Sequence, residues 1–346
     1  MKASLLGKRA LSSVLHSSGF LARKLKDSAG DRLLILMYHR VVDGVVARAL
    51  GQDGMYVDVE TFENHLRFLK RHFLVASLAE ALDLQEQRSG KNDPGGRLLC
   101  AITFDDGWRD VYENAYPLLR SHGMAATVFL PTGFIGTRNR FWTDRLARLL
   151  DTGNRGKGKR GVQTPAGSFL RKQGVPGAAD GMGLHGVIEA MKRLRQEEID
   201  RILSALSEEV GEDPASEERV FLTWEEVGEM FRSGIVRFGS HTESHRILTT
   251  LSDDEVAFEL RRSKERLVAA GVVDPAIIPF AYPNGNHTDR IAAMVREAGY
   301  RLAVTTEKGW NRAKPVPDAY RLKRIGVHQD IASTDAMFCC RLAEIF

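Results

Sequence analysis

Two adjacent carboxylates, Asp105 and Asp106, follow an apolar run over 98–104 directly and precede Gly107. Carboxylates so close repel each other, which favours a cation beside them. Further along, His241 and His245 stand four residues apart in His241-Thr242-Glu243-Ser244-His245. That spacing lets two imidazoles converge on one ion if the turn is helical. Glu243 does not make this the zinc-peptidase helix, where the acid directly follows the first histidine. Two imidazoles and one carboxylate form a three-ligand site with open positions, suited to Zn²⁺ activating water or to Fe²⁺ activating oxygen. An iron site would draw on His241, Glu243 and either His287 or His328, in an all-β sandwich that the strand and helix pattern argues against. Hydrolysis is therefore the better reading. A divalent ion lowers the pKa of a bound water towards about 7, and a second, uncoordinated carboxylate takes the proton as the water attacks a carbonyl. This accounts for two aspartates. Breaking an amide also requires a proton for the leaving nitrogen, and His328 at the end of a late strand is the candidate acid.

These residues lie more than two hundred positions apart and need a frame that gathers them. Buried-strand runs stand at 33–38, 98–104, 125–130, 235–239, 277–282, 301–305 and 322–327, separated by helical patterns at 59–72, 78–87, 111–122 and 184–210, after Thr288 and near the C-terminus. Thr223 with Glu226 and Ser252 with Glu255 fit capping boxes, and Gly234 and Gly271 sit where those helices should stop. The alternation and the count of about seven or eight strands predict an α/β fold, a (β/α) barrel rather than an open doubly wound sheet. In such folds ligands gather beyond the C-terminal strand ends. Four strand ends carry polar groups there: Tyr38-His39-Arg40, Asp105-Asp106, His241 with His245, and Gly326-Val327-His328.

The 346 residues exclude a single small module, and the 43% hydrophobic and 27% charged composition excludes disorder and fibre. A net charge of +4 gives no support to a nucleic-acid-coating role. Three cysteines, Cys100, Cys339 and Cys340, cannot build a disulfide framework and show no zinc-ligand spacing. No apolar run approaches the roughly 18 residues of a membrane-spanning helix. The first 26 residues carry six Lys or Arg and no acid, with serines that break any signal-peptide core. Wound as a helix, Leu11, Val14, Leu15, Leu21, Ala22 and Leu25 share one side, with Phe20 facing the basic side. Residues 1–30 are thus a basic amphipathic segment: a packed N-terminal helix, a helix resting on anionic lipid through residues 1–26, or an organelle-targeting peptide. The expected location is cytoplasmic, with peripheral contact at the inner membrane surface as its extension. Residues 154–183 hold eight Gly, six Lys or Arg and the single acid Asp180, which predicts a solvated loop or insertion outside the core.

Taken in order, Thr103-Phe104-Asp105-Asp106-Gly107, His241-Thr242-Glu243-Ser244-His245 and Phe280-Ala281-Tyr282-Pro283-Asn284-Gly285 resemble the polysaccharide deacetylase family, the NodB-homology or carbohydrate esterase family 4 domain. The resemblance extends from Leu33 to about Asp330, within a domain expected at 31–346, with an insertion at about 134–220. It implies a distorted (β/α) barrel and a metal-dependent deacetylase of N-acetylated, sometimes O-acetylated, sugars. By position, Asp105 would be the general base and Asp106, His241 and His245 the metal ligands. Thr242 would fix the loop between the histidines, and His328 would be the catalytic acid. The Asn284 backbone N–H would donate to the oxyanion, with Tyr282, Trp310 and His39 around the substrate. Two departures stand out. Ala281 occupies the position of the arginine that orients the base, leaving Arg40, Arg321 and Arg324 as candidates for that task, and the fourth motif, around Trp310, is blurred. The segments around Tyr38 and Phe280 resemble the exopolysaccharide and capsule branch. The substrate expected is an acetylated surface glycan or its lipid-linked precursor, with no nucleic acid partner. A deformylase of a lipid-linked amino-sugar and an inactive glycan-binding protein are the alternatives.

Overall fold

The computed structural model describes residues 7, 11–15, 32–44, 54–88, 97–152, 165–175, 178, 183–211, 218–312 and 318–345. In chain order these form β1 (Arg32–Tyr38), β2 (Arg40–Val42), β3 (Tyr56–Asp58), α1 (Val59–His72), β4 (Phe73–Ala76), α2 (Leu78–Arg88), β5 (Leu98–Phe104), α3 (Tyr116–His122) and β6 (Ala126–Leu130). Four helices follow: α4 (Trp142–Thr152), α5 (Pro165–Lys172), α6 (Leu184–Met191) and α7 (Gln196–Val210). The chain continues with α8 (Trp224–Arg232), β7 (Val236–Ser240), α9 (Asp253–Ala269), β8 (Pro279–Ala281), α10 (Asp289–Glu297), β9 (Leu302–Lys308), β10 (Asn311–Arg312), β11 (Leu322–Gly326), α11 (Gln329–Ala332) and α12 (Asp335–Leu342).

Seven strands run parallel in the order β1-β11-β9-β8-β7-β6-β5, and the register Leu33↔Leu99 through Tyr38↔Phe104 joins β5 back to β1 and closes a barrel. The strands are near-continuous apolar runs because both their faces are covered, side chains filling the inside and helices the outside. The barrel is distorted at β5: β4 takes the first half of its other edge, Leu98 to Ala101, and β6 the second, Ile102 to Phe104. Short β10 adds antiparallel to the start of β1. These short pieces, with the β2–β3 pair, carry too few residues for a period to register in sequence. Both capping boxes are present, Thr223 with Glu226 and Ser252 with Glu255.

Helices α4 to α7 bury a separate apolar cluster of their own, including Leu146, Leu150, Leu170, Val187, Met191, Leu203 and Leu206. This corrects the expectation for 154–183, since α5 and Val175 within it contribute buried side chains. High glycine content masked the helix, whose apolar positions are few but well placed. The long helix expected over 184–210 is two helices, α6 and α7, broken after Met191. Of the basic N-terminal segment, only residues 7 and 11–15 are described; there Leu11 and Val14 are exposed while Leu15 packs on the barrel cluster. The rest of that expectation lies outside the described residues. Among the described residues, no helix is long and apolar enough to cross a membrane.

One buried histidine makes the fold sensitive to acid. His65 on α1 faces the Ala332 carbonyl at 2.7 Å through Nε2 and the Tyr38 hydroxyl at 3.1 Å through Nδ1, with its ring stacked 3.9 Å from that of Phe338. The carbonyl can only accept, so Nε2 carries the proton and Tyr38 donates to Nδ1. Burial lowers the pKa of His65 from 6.5 to about 4. A neutral imidazole therefore stabilises the fold fully above 6.5, and this contribution is lost as pH falls through 6.5 towards 4, amounting to about 3 kcal/mol. Urea unfolding of wild type and His65→Gln across pH 4 to 7 should show two stability curves that converge on acidification. Curves that stay parallel would remove the titration of His65 as the cause.

Candidate active site

The candidate catalytic groups stand where barrel strands end. The Asp105 amide donates to the Tyr38 carbonyl at 3.0 Å, continuing the β1–β5 ladder one residue beyond the strand. The chain then turns sharply: Asp106 has φ 74° and Gly107 φ 63°. A left-handed residue is costly for anything but Gly, Asn or Asp, so the turn that splits the two carboxylates is one that these residue types permit. As a result Asp105 and Asp106 face different partners.

Asp106 meets the histidines. Its Oδ1 lies 3.2 Å from Nε2 of His245 and 3.5 Å from Nε2 of His241, and Trp108 Nε1 donates to its Oδ2 at 3.0 Å. One donor atom from each of Asp106, His241 and His245 lies within 4.8 Å of the other two. Nδ1 of His241 is 2.7 Å from the Ala281 carbonyl, so that nitrogen carries the proton and Nε2 presents a lone pair. Two imidazoles and a carboxylate with such outer support fit Zn²⁺ or a similar borderline ion. Burial opposes ionisation of Asp106, but the two histidines beside it hold its carboxyl well below the usual range. Phe141 stacks on His245 at 4.2 Å and covers one side of the group.

The loop that carries the histidines is held in an unfavourable backbone shape. Thr242 and His245 have φ values of 69° and 58°, and a β-branched residue in that region is rare. Glu259 of α9, itself buried, accepts from the amides of Glu243 and Ser244 at 2.9 and 2.8 Å and from the Ser244 hydroxyl. Thr242 Oγ1 accepts from the His245 amide at 2.9 Å, the loop-fixing task expected of it. On the far side the amides of Thr132 and Gly133 donate to the carbonyls of Thr242 and Glu243 at 3.0 and 2.7 Å. A Cβ at Gly133 would sit 2.7 Å from that Glu243 oxygen, so only glycine allows this approach. Glu243 points away from the histidines, accepting from the Thr132 hydroxyl and pairing with Arg266 at 2.9 Å. It cannot serve as the ligand that an iron site would have taken from it.

Asp105 meets an arginine. Arg324 of β11 grips its two oxygens with two nitrogens, each at 2.7 Å, while its Nε donates to the Thr305 carbonyl at 2.8 Å. Both side chains are buried, Arg324 at 1% exposure and Asp105 at 2%. Burial works against the charged carboxylate, but Arg324, then His241, outweighs it and keeps Asp105 below its usual pKa. Of the three arginines open from sequence, Arg40 pairs with Asp110 at 2.7 Å and Arg321 with Asp289, which leaves Arg324 to orient Asp105. In sequence Arg324 is only one polar residue in a strand; its inward face follows from register with β9 and β1.

His328 follows β11, with Nδ1 3.2 Å from Asp330. Partial burial lowers its pKa, and the Asp330 carboxylate opposes that shift. His39 directly follows β1, Asp105 and Asp106 follow β5 and His328 follows β11, and these three parallel strands are neighbours, which groups the four residues at one end of the barrel. Asn284 has φ 57°, in a tight turn whose first closing bond runs from the Gly285 amide to the Tyr282 carbonyl at 2.8 Å, so its own N–H lies ahead of the bonded amides.

Two expected pocket residues are elsewhere. Trp310 adjoins β10, which pairs with the first residues of β1 at the opposite, N-terminal end of the barrel; its indole donates to the Leu342 carbonyl at 2.8 Å. An aromatic residue before a strand reads alike at either end of a barrel. Tyr282 is fully buried and spends its hydroxyl on the Tyr320 carbonyl at 3.0 Å, so it supports the Asn284 turn from below and offers substrate no hydroxyl.

The family model for polysaccharide deacetylases matches residues 92–162 and 187–303, more than half of the chain. The chain belongs to the polysaccharide deacetylase family. Among relatives, YxkH of Bacillus subtilis, named as a polysaccharide deacetylase, is 28% identical over 129 residues, 37% of this chain and 42% of that protein. The poly-β-1,6-N-acetyl-D-glucosamine N-deacetylase of Staphylococcus aureus is 34% identical over 87 residues, 24% of this chain and 27% of that protein. The chain therefore matches less than half the length of either relative. Among solved structures, the deacetylase PplD of Streptococcus pyogenes aligns with TM-score 0.54 and 20% identity over 87% of this chain and 94% of its own. IcaB of Ammonifex degensii aligns with TM-score 0.54 and 19% identity over 90% and 97%. Both alignments establish the shared barrel. Within this family barrel the gap between the two matched stretches, 163–186, falls among the helices of the separate apolar cluster.

Proposed function

We propose that the chain is a metal-dependent hydrolase that removes acetyl groups, N-linked and by extension O-linked, from an amino-sugar of a surface polysaccharide or of its lipid-linked precursor. The observation that carries this reading is the division of labour between neighbours: Asp106 joins two histidines while Asp105 is held as a free base by Arg324. A divalent ion on Asp106, His241 and His245, with Zn²⁺ favoured by the donor set and Co²⁺, Ni²⁺ or Fe²⁺ as variants, would supply a water ionised near neutral pH and a Lewis acid for the carbonyl. Asp105 accepts the proton of the attacking water, His328 gives a proton to the departing amine, and the Asn284 N–H donates to the oxyanion. The bidentate grip of Arg324 makes good the arginine missing at Ala281, which speaks against an inactive binding protein.

The test is acetate release from β-1,6- and β-1,4-linked N-acetylglucosamine oligomers by protein loaded with each ion. Turnover supports the reading, with the S. aureus relative pointing to the β-1,6 linkage first. Formate from N-formyl analogues without acetate would move the assignment to a deformylase, and absence of both metal and turnover would leave a glycan-binding protein. A cytoplasmic protein that touches the membrane through residues 1–26 is part of the same reading; unchanged membrane association after their deletion would end it.

The role of His328 predicts a pH effect. An acid must be protonated, so activity falls on the alkaline side as His328 loses its proton. Asp330 raises the pKa of His328, so Asp330→Asn should move that alkaline limb to lower pH. The check is kcat/KM against pH for both proteins. A limb that stays in place would take Asp330, and with it His328, out of the acid role.

A further inference from the structure

A cleft of about 830 Å³ opens from His245 and runs between the barrel loops and the helices that follow β6. Its charged groups are largely spent on holding these two walls together. Arg246, next to His245, pairs with Glu255 at 3.0 Å and reaches Glu197 of α7 at 3.8 Å. Lys192, directly after α6, pairs with Glu189 at 2.6 Å and donates to Asn284 Oδ1 at 2.8 Å. Arg145 of α4 faces Asp200 of α7 at 4.0 Å, and Arg140 donates to the Glu218 carbonyl at 3.4 Å. The helices are thereby tied to the histidine loop and to the Asn284 turn, and they stand as a wall beside the three-donor group.

Much of what is left facing the cleft is apolar or neutral. Trp142, the first residue of α4, follows Phe141, whose ring stacks on His245 at 4.2 Å, so the Cα atoms of 141 and 142 are about 3.8 Å apart. Half-buried, Trp142 packs against the apolar cluster of the helices and also lines the cleft. Among the described residues its indole N–H has no hydrogen-bond partner and its ring meets no other ring. Phe134 on the barrel side and Leu194 on the helical side add apolar surface. Asn139 is exposed, its side-chain amide without a partner among the described residues, and Gln196 donates to Asp200 at 3.0 Å with its carbonyl oxygen left over. Arg138, also exposed and unpaired among the described residues, is a further donor for hydroxyls. A sugar ring has apolar C–H faces and a rim of hydroxyls. It suits a site in which an aromatic face takes the ring and neutral groups take the rim, whereas cations that are already paired offer an anion little. The cleft has the size that encloses a drug-sized ligand, which is more than one amino-sugar at the metal end would fill.

We propose that this cleft binds the neutral sugar units next to the one that loses its acetyl group, with Trp142 as the platform for the nearest of them, so that the chain acts on a stretch of polymer in preference to a single lipid-linked amino-sugar. The proposal rests on the deacetylase reading and narrows it.

The experiment measures acetate release and, by titration calorimetry, binding by the metal-loaded full chain, using the dimer and the hexamer of N-acetylglucosamine in β-1,6 and in β-1,4 linkage. Per acetyl group, the hexamer of the preferred linkage should exceed the dimer about tenfold or more in affinity and in kcat/KM, and because the contacts are uncharged, salt should leave that ratio in place. Trp142→Leu keeps apolar bulk against the helical cluster but no ring face; it should cut the hexamer-to-dimer ratio about fivefold or more, and Trp142→Phe should recover part of it. Should Trp142→Leu fail to fold, Asn139→Ala, a change at an exposed side chain, should still lower the ratio. Equal release per acetyl group from dimer and hexamer overturns the subsites and leaves the deacetylase. A hexamer preference untouched by these substitutions in folded protein places the extra sugars elsewhere and overturns the role of the cleft. If no probe is cut, the deacetylase reading is what fails, and calorimetry still decides the cleft: a hexamer bound no tighter than the dimer overturns it.

Discussion

Asp105→Asn is expected to keep about one divalent ion per chain while acetate release falls by about 10²- to 10⁴-fold, the usual contribution of a positioned general base. His241→Ala is expected to lose both the ion and the activity. The contrast follows from the turn at Asp106, which points one carboxylate at His241 and His245 and the other at Arg324. Asparagine fills the volume of Asp105 and can still accept from Arg324, but it takes no proton from water. Alanine at 241 removes one of three donors and also frees the Ala281 carbonyl that orients the ring. Metal analysis of both purified variants beside acetate assays reads the two roles separately. An Asp105→Asn protein without metal would place Asp105 among the ligands; a His241→Ala protein with full metal and activity would dismantle the three-donor group.

The sequence carried the barrel well because its strands are buried on both faces and appear as uninterrupted apolar runs, as in 98–104 and 322–326. The residues at the ends of those runs were legible for the same reason: a carboxylate pair or an imidazole pair after a buried strand has few structural uses. What the sequence concealed is what depends on register and loop closure. Arg324 stands level with Arg40 and Arg321 as a candidate until β11 is placed beside β9 and β1, when it becomes the most buried cation of the site. Glu259 lies mid-helix among other charges, and only its reach to the Ser244 loop distinguishes it. Trp310 and Tyr282 show the opposite error, since aromatic character marks a core as readily as a pocket.

Arg324→Met should lose about 3 to 5 kcal/mol of stability at neutral pH, since it leaves Asp105 charged and buried without its partner. Asp105→Asn alone should also destabilise by leaving the guanidinium unpaired, whereas the double variant should cost much less than the two losses combined, because an apolar side chain beside a neutral amide needs no counter-charge. The pH dependence has a definite sign. In the wild type Asp105 titrates below its unfolded value of 3.8, so its contribution is present above that value and lost as pH falls through the lower folded one. Without Arg324 the opposing effect of burial is released and the folded pKa rises. The neutral carboxyl is then the stable buried form, and the deficit of Arg324→Met relative to wild type should shrink on acidification. A base with a raised pKa is also protonated at higher pH, so the acid limb of kcat/KM in Arg324→Met should move upward, and Arg324→Lys, which keeps charge but not the fork, should fall between the two. Denaturant unfolding and pH–rate profiles of the wild type and the four variants measure all of this. A purely structural arginine would lower stability and leave the acid limb where it stands in the wild type, and that outcome would separate Arg324 from the chemistry of Asp105.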